Sequence, residues 1–135
     1  MPIVVDASAV LSSILRETGP AAVMLRAELG REEWIAPALW WFEVRNGLIV
    51  NERRGRSSEE LTTAALRELS RLATTIDTLP DDEILIALAR KHRLTAYDAS
   101  YLELAMRRRL PLATLDAELI AAARAEGVPL VGESG

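Results

Sequence analysis

The feature that most constrains this chain is its alternation of short β-branched or apolar runs with longer segments of helical periodicity. Five such runs occur: Ile3-Val4-Val5, Trp34-Ile35-Ala36, Thr74 to Leu79, Leu112 to Leu115 and Val128 to Val131. Each of the first four leads into a segment with helix-start signals or 3.6-residue apolar spacing. Strands that alternate with helices predict a mostly parallel sheet with helices on both faces, a three-layer α/β/α sandwich. At 135 residues, half of them hydrophobic, the chain fits one domain, expected to span 1–135.

Local signals place the helices. Ser8 is the expected cap of a first helix to about Arg16, and Pro20 starts a second that stops at Gly30. Ala38 to about Arg54 reads as a long helix. Ser57 and Glu60 make a capping box for the next, to about Leu72. Asp81-Asp82-Glu83 places negative charge on the first turn of a helix ending near His92, Asp98 caps one to about Arg109, and Asp116 caps one to Glu126. Gly132 to Gly135 reads as a loose tail.

The first run ends in a carboxylate, Asp6. In open parallel sheets the carboxyl ends of the strands form the ligand-binding edge, so Asp6 marks the candidate site. Asp98 and Asp116 fall at comparable helix-start positions. Each also fits an ordinary helix cap. Glu43 is harder to explain that way, because it follows two tryptophans and lies between Phe42 and Val44, where an ionised carboxylate needs a partner, a cation or solvent. Asn46 shares its helical face and is placed to bond either that carboxylate or a metal-bound water. Gly47 inside a helix costs about 1 kcal/mol relative to Ala, which points to close packing against another element.

If these acids converge, mutual repulsion raises their pKa values unless a counter-charge intervenes. Mg²⁺ or Mn²⁺ is the natural choice for oxygen ligands, and such an ion activates water for phosphodiester displacement. Ser8 and Thr114, each two residues from an acid, are expected to support the site or to cap and pack. Arg53, Arg54 and Arg56 form a basic turn suited to phosphate contacts or to solvent.

Other residues carry plainer expectations. His92, the only histidine, lies between Lys91 and Arg93 at a helix end, where a cation complements the dipole. Of the adjacent Trp40 and Trp41, one packs in the core and the other faces a partner or a base. Arg107-Arg108-Arg109 is expected to be a solvated run.

The composition narrows the class. The net charge of −4, from 20 acidic and 16 basic residues, argues against a surface built for general nucleic-acid binding without excluding a nuclease. The absence of cysteine excludes disulfides, thiolate metal sites and a cysteine nucleophile. No apolar run approaches the roughly 18 residues of a membrane span, so the expectation is a cytoplasmic protein without membrane attachment.

Taken together, Ile3 to Ala9, Glu43 with Asn46, Ala96 to Tyr101, Leu112 to Asp116 and Gly127-Val128 resemble the PIN-domain family, and within it the VapC-type toxins of prokaryotic toxin–antitoxin pairs. The resemblance covers almost the whole chain. It implies a Mg²⁺- or Mn²⁺-dependent endoribonuclease that cuts single-stranded or loop RNA, forms a homodimer and is inhibited by a VapB-type antitoxin. Carried over, Asp6, Glu43, Asp98 and Asp116 are the metal-binding and catalytic acids, with Ser8, Asn46 and Thr114 supporting them. The alternatives are a PIN-like scaffold that binds RNA or protein without cutting, and a phosphatase or phospho-acceptor domain. The latter two are weakened because Ser8 stands where a dehalogenase-type phosphatase wants a second Asp, and the only lysine, Lys91, falls in a helix.

Overall fold

The computed structural model describes residues 1–133; Ser134 and Gly135, the end of the expected tail, lie outside the described residues. In chain order the elements are β1 (Ile3–Val5), α1 (Ala7–Ile14), α2 (Pro20–Leu29), β2 (Trp34–Pro37), α3 (Leu39–Arg53), α4 (Glu59–Ser70), β3 (Thr74–Asp77), α5 (Asp82–His92), α6 (Ala96–Arg108), β4 (Leu112–Ala113) and α7 (Ala117–Ala125). The strands form one parallel sheet in the order β3-β2-β1-β4. Helices cover both faces, as the alternation of elements predicts.

Strand order explains where a ligand belongs. The chain steps outward from β1 through β2 to β3, then returns to place β4 on the other side of β1. The crevice outside the carboxyl ends of β1 and β4 is therefore the topological switch point. Its floor is held by backbone pairing of Val5 with Ala113 and by the Asp6 N–H donating to the Ala113 carbonyl at 3.1 Å. β1 is buried along its length, all three of its β-branched residues lying in the core, and α6 lies across β1, β2 and β4.

Three details position the site's helices. Gly47 on α3 meets Leu11 on α1: a Cβ there would overlap Leu11 Cδ1 and stand 3.0 Å from Cδ2, so the close packing expected from a mid-helix glycine is real. Trp40 is buried edge-on against Trp34, centroids 6.5 Å apart, while Trp41 is about half exposed under the Arg45 guanidinium. His92 lies away from the acids and, with Lys91, binds Glu126 just beyond α7 at 2.6 and 2.8 Å.

Several boundaries differ from expectation. The cap of α1 is Asp6, which accepts from the Ala9 N–H, and not Ser8; the cap of α4 is Ser58, not Ser57. The cap of α6 is Thr95, whose hydroxyl accepts from the Asp98 N–H at 3.0 Å, so Asp98 stands inside the first turn. β3 stops at Asp77 because its carboxylate accepts from the Leu79 N–H, turning the chain ahead of Pro80. β4 stops at Ala113 because the N–H groups of Leu115 and Asp116 turn to side chains. The last run contributes one bridge, Leu130 to Leu112, since Pro129 has no N–H to extend a ladder.

Candidate active site

Asp6 is 5% exposed, and both of its oxygens accept hydrogen bonds. Oδ1 accepts from the Ala9 N–H at 2.9 Å and from the Ser8 hydroxyl at 2.8 Å, and Oδ2 accepts from the Thr114 hydroxyl. Ser8 and Thr114 also reach across the crevice. Ser8 Oγ accepts from the Leu115 N–H at 3.0 Å, and Thr114 Oγ1 accepts from the Asp116 N–H at 3.0 Å. These two hydroxyls tie the end of β1 to the end of β4 and fix Asp6 and Asp116 relative to each other. Asp116 caps α7 with Oδ2 on the Leu119 N–H at 2.9 Å, and among the described residues its Oδ1 accepts no hydrogen bond.

Glu43 and Asp98 arrive from α3 and α6. Both are partly buried. Glu43 accepts from the Tyr101 hydroxyl at 2.5 Å. Arg45, two residues on, is not its partner, since it stacks on Trp41 and donates to the Trp41 carbonyl. Asn46 is exposed and, among the described residues, makes no hydrogen bond to Glu43, so that part of the expected support is absent.

The electrostatics show that the acids share one neighbourhood. Burial pushes Asp6 up from 3.8 to about 6 against the lowering effect of its three hydrogen bonds, and the charge of Asp116 adds to the rise. Asp98 is raised by burial and then by Asp116; Glu43 is raised by burial and by Asp98, with the Tyr101 bond opposing. Tyr101 lies well above the usual phenol range, through burial, its bond to Glu43, and the charges of Glu43, Asp6 and Asp98. Its hydroxyl stays protonated.

Among the described residues no three His, Asp or Glu side chains are gathered into a ready-made metal cage. The donor set is nonetheless one of hard oxygens carrying surplus negative charge at a single crevice. That suits a cation such as Mg²⁺, which commonly takes one or two carboxylates and keeps several waters.

A family model described as PIN domain matches residues 3–126. The chain belongs to the PIN-domain family. It is similar to Ribonuclease VapC3 of Pyrobaculum aerophilum, with 34% identity over 122 residues that make up 88% of this chain and 92% of that protein. The crystal structure of PAE2754 from the same organism superposes with a TM-score of 0.70 at 31% identity, covering 97% of this chain and 84% of the other. A toxin–antitoxin complex from Klebsiella pneumoniae shares the fold, with a TM-score of 0.59 at 18% identity over 88% of this chain and 90% of that one.

Two features escape a reading of the sequence. One is Tyr101, which closes the Ala96 to Tyr101 motif but has no local signal for its long-range bond to Glu43. The other is a buried ion network at the end of β3. Arg107 binds Glu103 through Nε at 2.7 Å and Asp77 through Nη2 at 2.8 Å, and Arg108 joins Asp77 at 3.1 Å. Glu103 is 1% exposed and Asp77 8% exposed. Arg107 and Arg108 are thus paired, correcting the expectation of a solvated run. The i,i+4 spacing of Glu103 and Arg107 is the one sequence signal that points to it. The basic turn at Arg53, Arg54 and Arg56 is exposed, and Arg53 lies ten residues beyond Glu43 on α3, about 15 Å along a helix.

Proposed function

We propose that this PIN-domain protein is a metal-dependent endoribonuclease, the toxin of a toxin–antitoxin pair, with Asp6, Glu43, Asp98 and Asp116 as its working acids. The observations that support the reading are the ties that Ser8 and Thr114 make between the ends of β1 and β4, and the charge influence that links the acids, Asp116 raising both Asp6 and Asp98, and Asp98 raising Glu43. The 34% identity to a protein named as a ribonuclease supports the substrate class.

Asp6, Asp98 and Asp116, with Glu43, are the residues that would hold Mg²⁺ or Mn²⁺, which when bound would supply charge neutralisation and an acidified water. Ser8 and Thr114 keep Asp6 and Asp116 at a fixed separation. Glu43 has one oxygen held by Tyr101 and a raised pKa, which suits Oε2 to orient the attacking water and accept its proton. Arg53, Arg54 and Arg56 contact phosphates farther along the same strand.

In the cell this reading implies a cytoplasmic homodimer restrained by a VapB-type antitoxin. No helix among the described residues is long and apolar enough to cross a membrane. The test is incubation of antitoxin-free protein with total RNA, Mg²⁺ or Mn²⁺, and an EDTA control. Discrete fragments lost in EDTA support the reading. Intact RNA under every metal, with RNA still bound, favours the silent scaffold.

A further inference from the structure

We propose that Tyr101 is a positioning residue of this site: its hydroxyl holds Glu43 through Oε1 and leaves Oε2 as the oxygen available to water or cation. The inference rests on the nuclease reading of the acids and deepens it, because it names what keeps the acid of α3 in register with those of the sheet edge.

The ring of Tyr101 is 1% exposed and belongs to the core beneath the crevice. A phenylalanine would fill that space, so the hydroxyl is what needs explaining. A buried hydroxyl requires a partner. Here the partner is neither a backbone carbonyl nor a neighbour on the same helix but the carboxylate of Glu43, 58 positions away in the chain. Among the described residues this is the one side-chain hydrogen bond that Glu43 makes.

Direction and consequence follow from chemistry. A phenol hydroxyl facing a carboxylate oxygen is the member of the pair with a proton to give, so Tyr101 donates and Glu43 accepts. Tyr101 lies three residues past Asp98 on α6, so the two share a helical face. The bond thereby ties Glu43 to the helix that carries Asp98. Without it, a half-buried glutamate with three side-chain torsions would sample several positions. A residue that orients a ligand or base in this way typically alters affinity or activity by roughly 10–100-fold when it is replaced.

The experiment uses the full chain labelled with ¹³Cζ-tyrosine. The sequence has two tyrosines, Tyr97 and Tyr101, so a Tyr97→Phe variant assigns both resonances. The Tyr101 resonance is expected to move in Glu43→Ala and to move on Mg²⁺ addition more than that of Tyr97. Tyr101→Phe is expected to fold, to bind Mg²⁺ about 10-fold more weakly by calorimetry and to cut RNA at least about 10-fold more slowly in single turnover. In the Glu43→Ala background the same substitution is expected to change neither further. Wild-type affinity and rate in Tyr101→Phe, an undiminished effect in that background, or a Tyr101 resonance indifferent to Glu43→Ala would each overturn the inference. If the wild type neither binds Mg²⁺ nor cuts RNA, the nuclease reading fails by itself, and the resonance still decides whether Tyr101 holds Glu43.

Discussion

Asp6 is placed for charge and not for stability, and this can be measured without any RNA. Its carboxyl ionises near 3.8 when unfolded and at about 6 in the fold, chiefly because burial disfavours the anion. Folding of metal-free protein therefore takes up a proton between those pH values. The contribution of Asp6 is full below about pH 4 and is lost as pH rises through about 6. The difference corresponds to about 3 kcal/mol. Asp6→Asn keeps an oxygen for the Ala9 N–H and has no charge to bury. Its amide group faces Thr114, whose hydroxyl must turn from donor to acceptor at a cost of about 1 kcal/mol. At pH 7.5 in EDTA the variant should accordingly be the more stable protein by about 2 kcal/mol, whereas at pH 4 it should be the less stable one by about 1 kcal/mol. Urea melts at both pH values read the change directly. A stability difference that stays constant within about 1 kcal/mol from pH 4 to 7.5, or one that moves the other way, would refute the electrostatic account of Asp6.

Four further outcomes follow. Arg107→Met strands Glu103 while Arg108 still serves Asp77, so a loss of about 3 kcal/mol in urea melts is expected, the lower end for breaking a buried pair; a loss under about 1 kcal/mol would show that the network is not holding α6 to β3. The same network holds Asp77 down at about 2, so its contribution to stability is present above about pH 4 and lost as pH falls toward 2 in wild type, an acid limb that should shrink in Arg107→Met. Gly47→Ala gains about 1 kcal/mol of helix propensity but sets a Cβ against Leu11, where overpacking costs about 1–3 kcal/mol; net destabilisation is expected, relieved in part by Leu11→Ala, and simple additivity of the two would contradict the close approach. Replacing Arg53, Arg54 and Arg56 by Ala should flatten the salt dependence of RNA binding by about 0.7 in log–log slope for each phosphate no longer neutralised, and an unchanged slope would remove this turn from the binding face.

What the sequence made legible was whatever is written locally. The run Ile3 to Asp6 announces a buried strand ending in a carboxylate, and the alternation of strands and helices announces the sandwich and its binding edge. Gly47 betrayed a close approach because a mid-helix glycine is costly. Local writing also has near-degeneracies. Ser57 and Ser58 are equally good caps, and Thr95 competes with Asp98 three residues away, so the choice falls to tertiary fit. The bonds that decide the site were not legible at all. Thr114 to Asp6 spans 108 positions and Tyr101 to Glu43 spans 58, and no periodicity encodes such pairs. The arginine run misled for the same reason: a helix C-terminus explains cations adequately until a buried aspartate 30 residues back is brought beside them.

The central claim is that four acids act as one metal-dependent centre. The measurement that tests it most directly is the single-turnover rate of cleavage of a defined single-stranded RNA against Mg²⁺ concentration, for wild type, Asp6→Asn, Glu43→Gln, Asp98→Asn, Asp116→Asn and the exposed control Glu60→Gln. The account predicts a saturable Mg²⁺ dependence, a fall of at least about 100-fold in each of the four acid variants, and no change in the control. Cleavage that persists in EDTA, or an acid variant that cuts as wild type does, would contradict it.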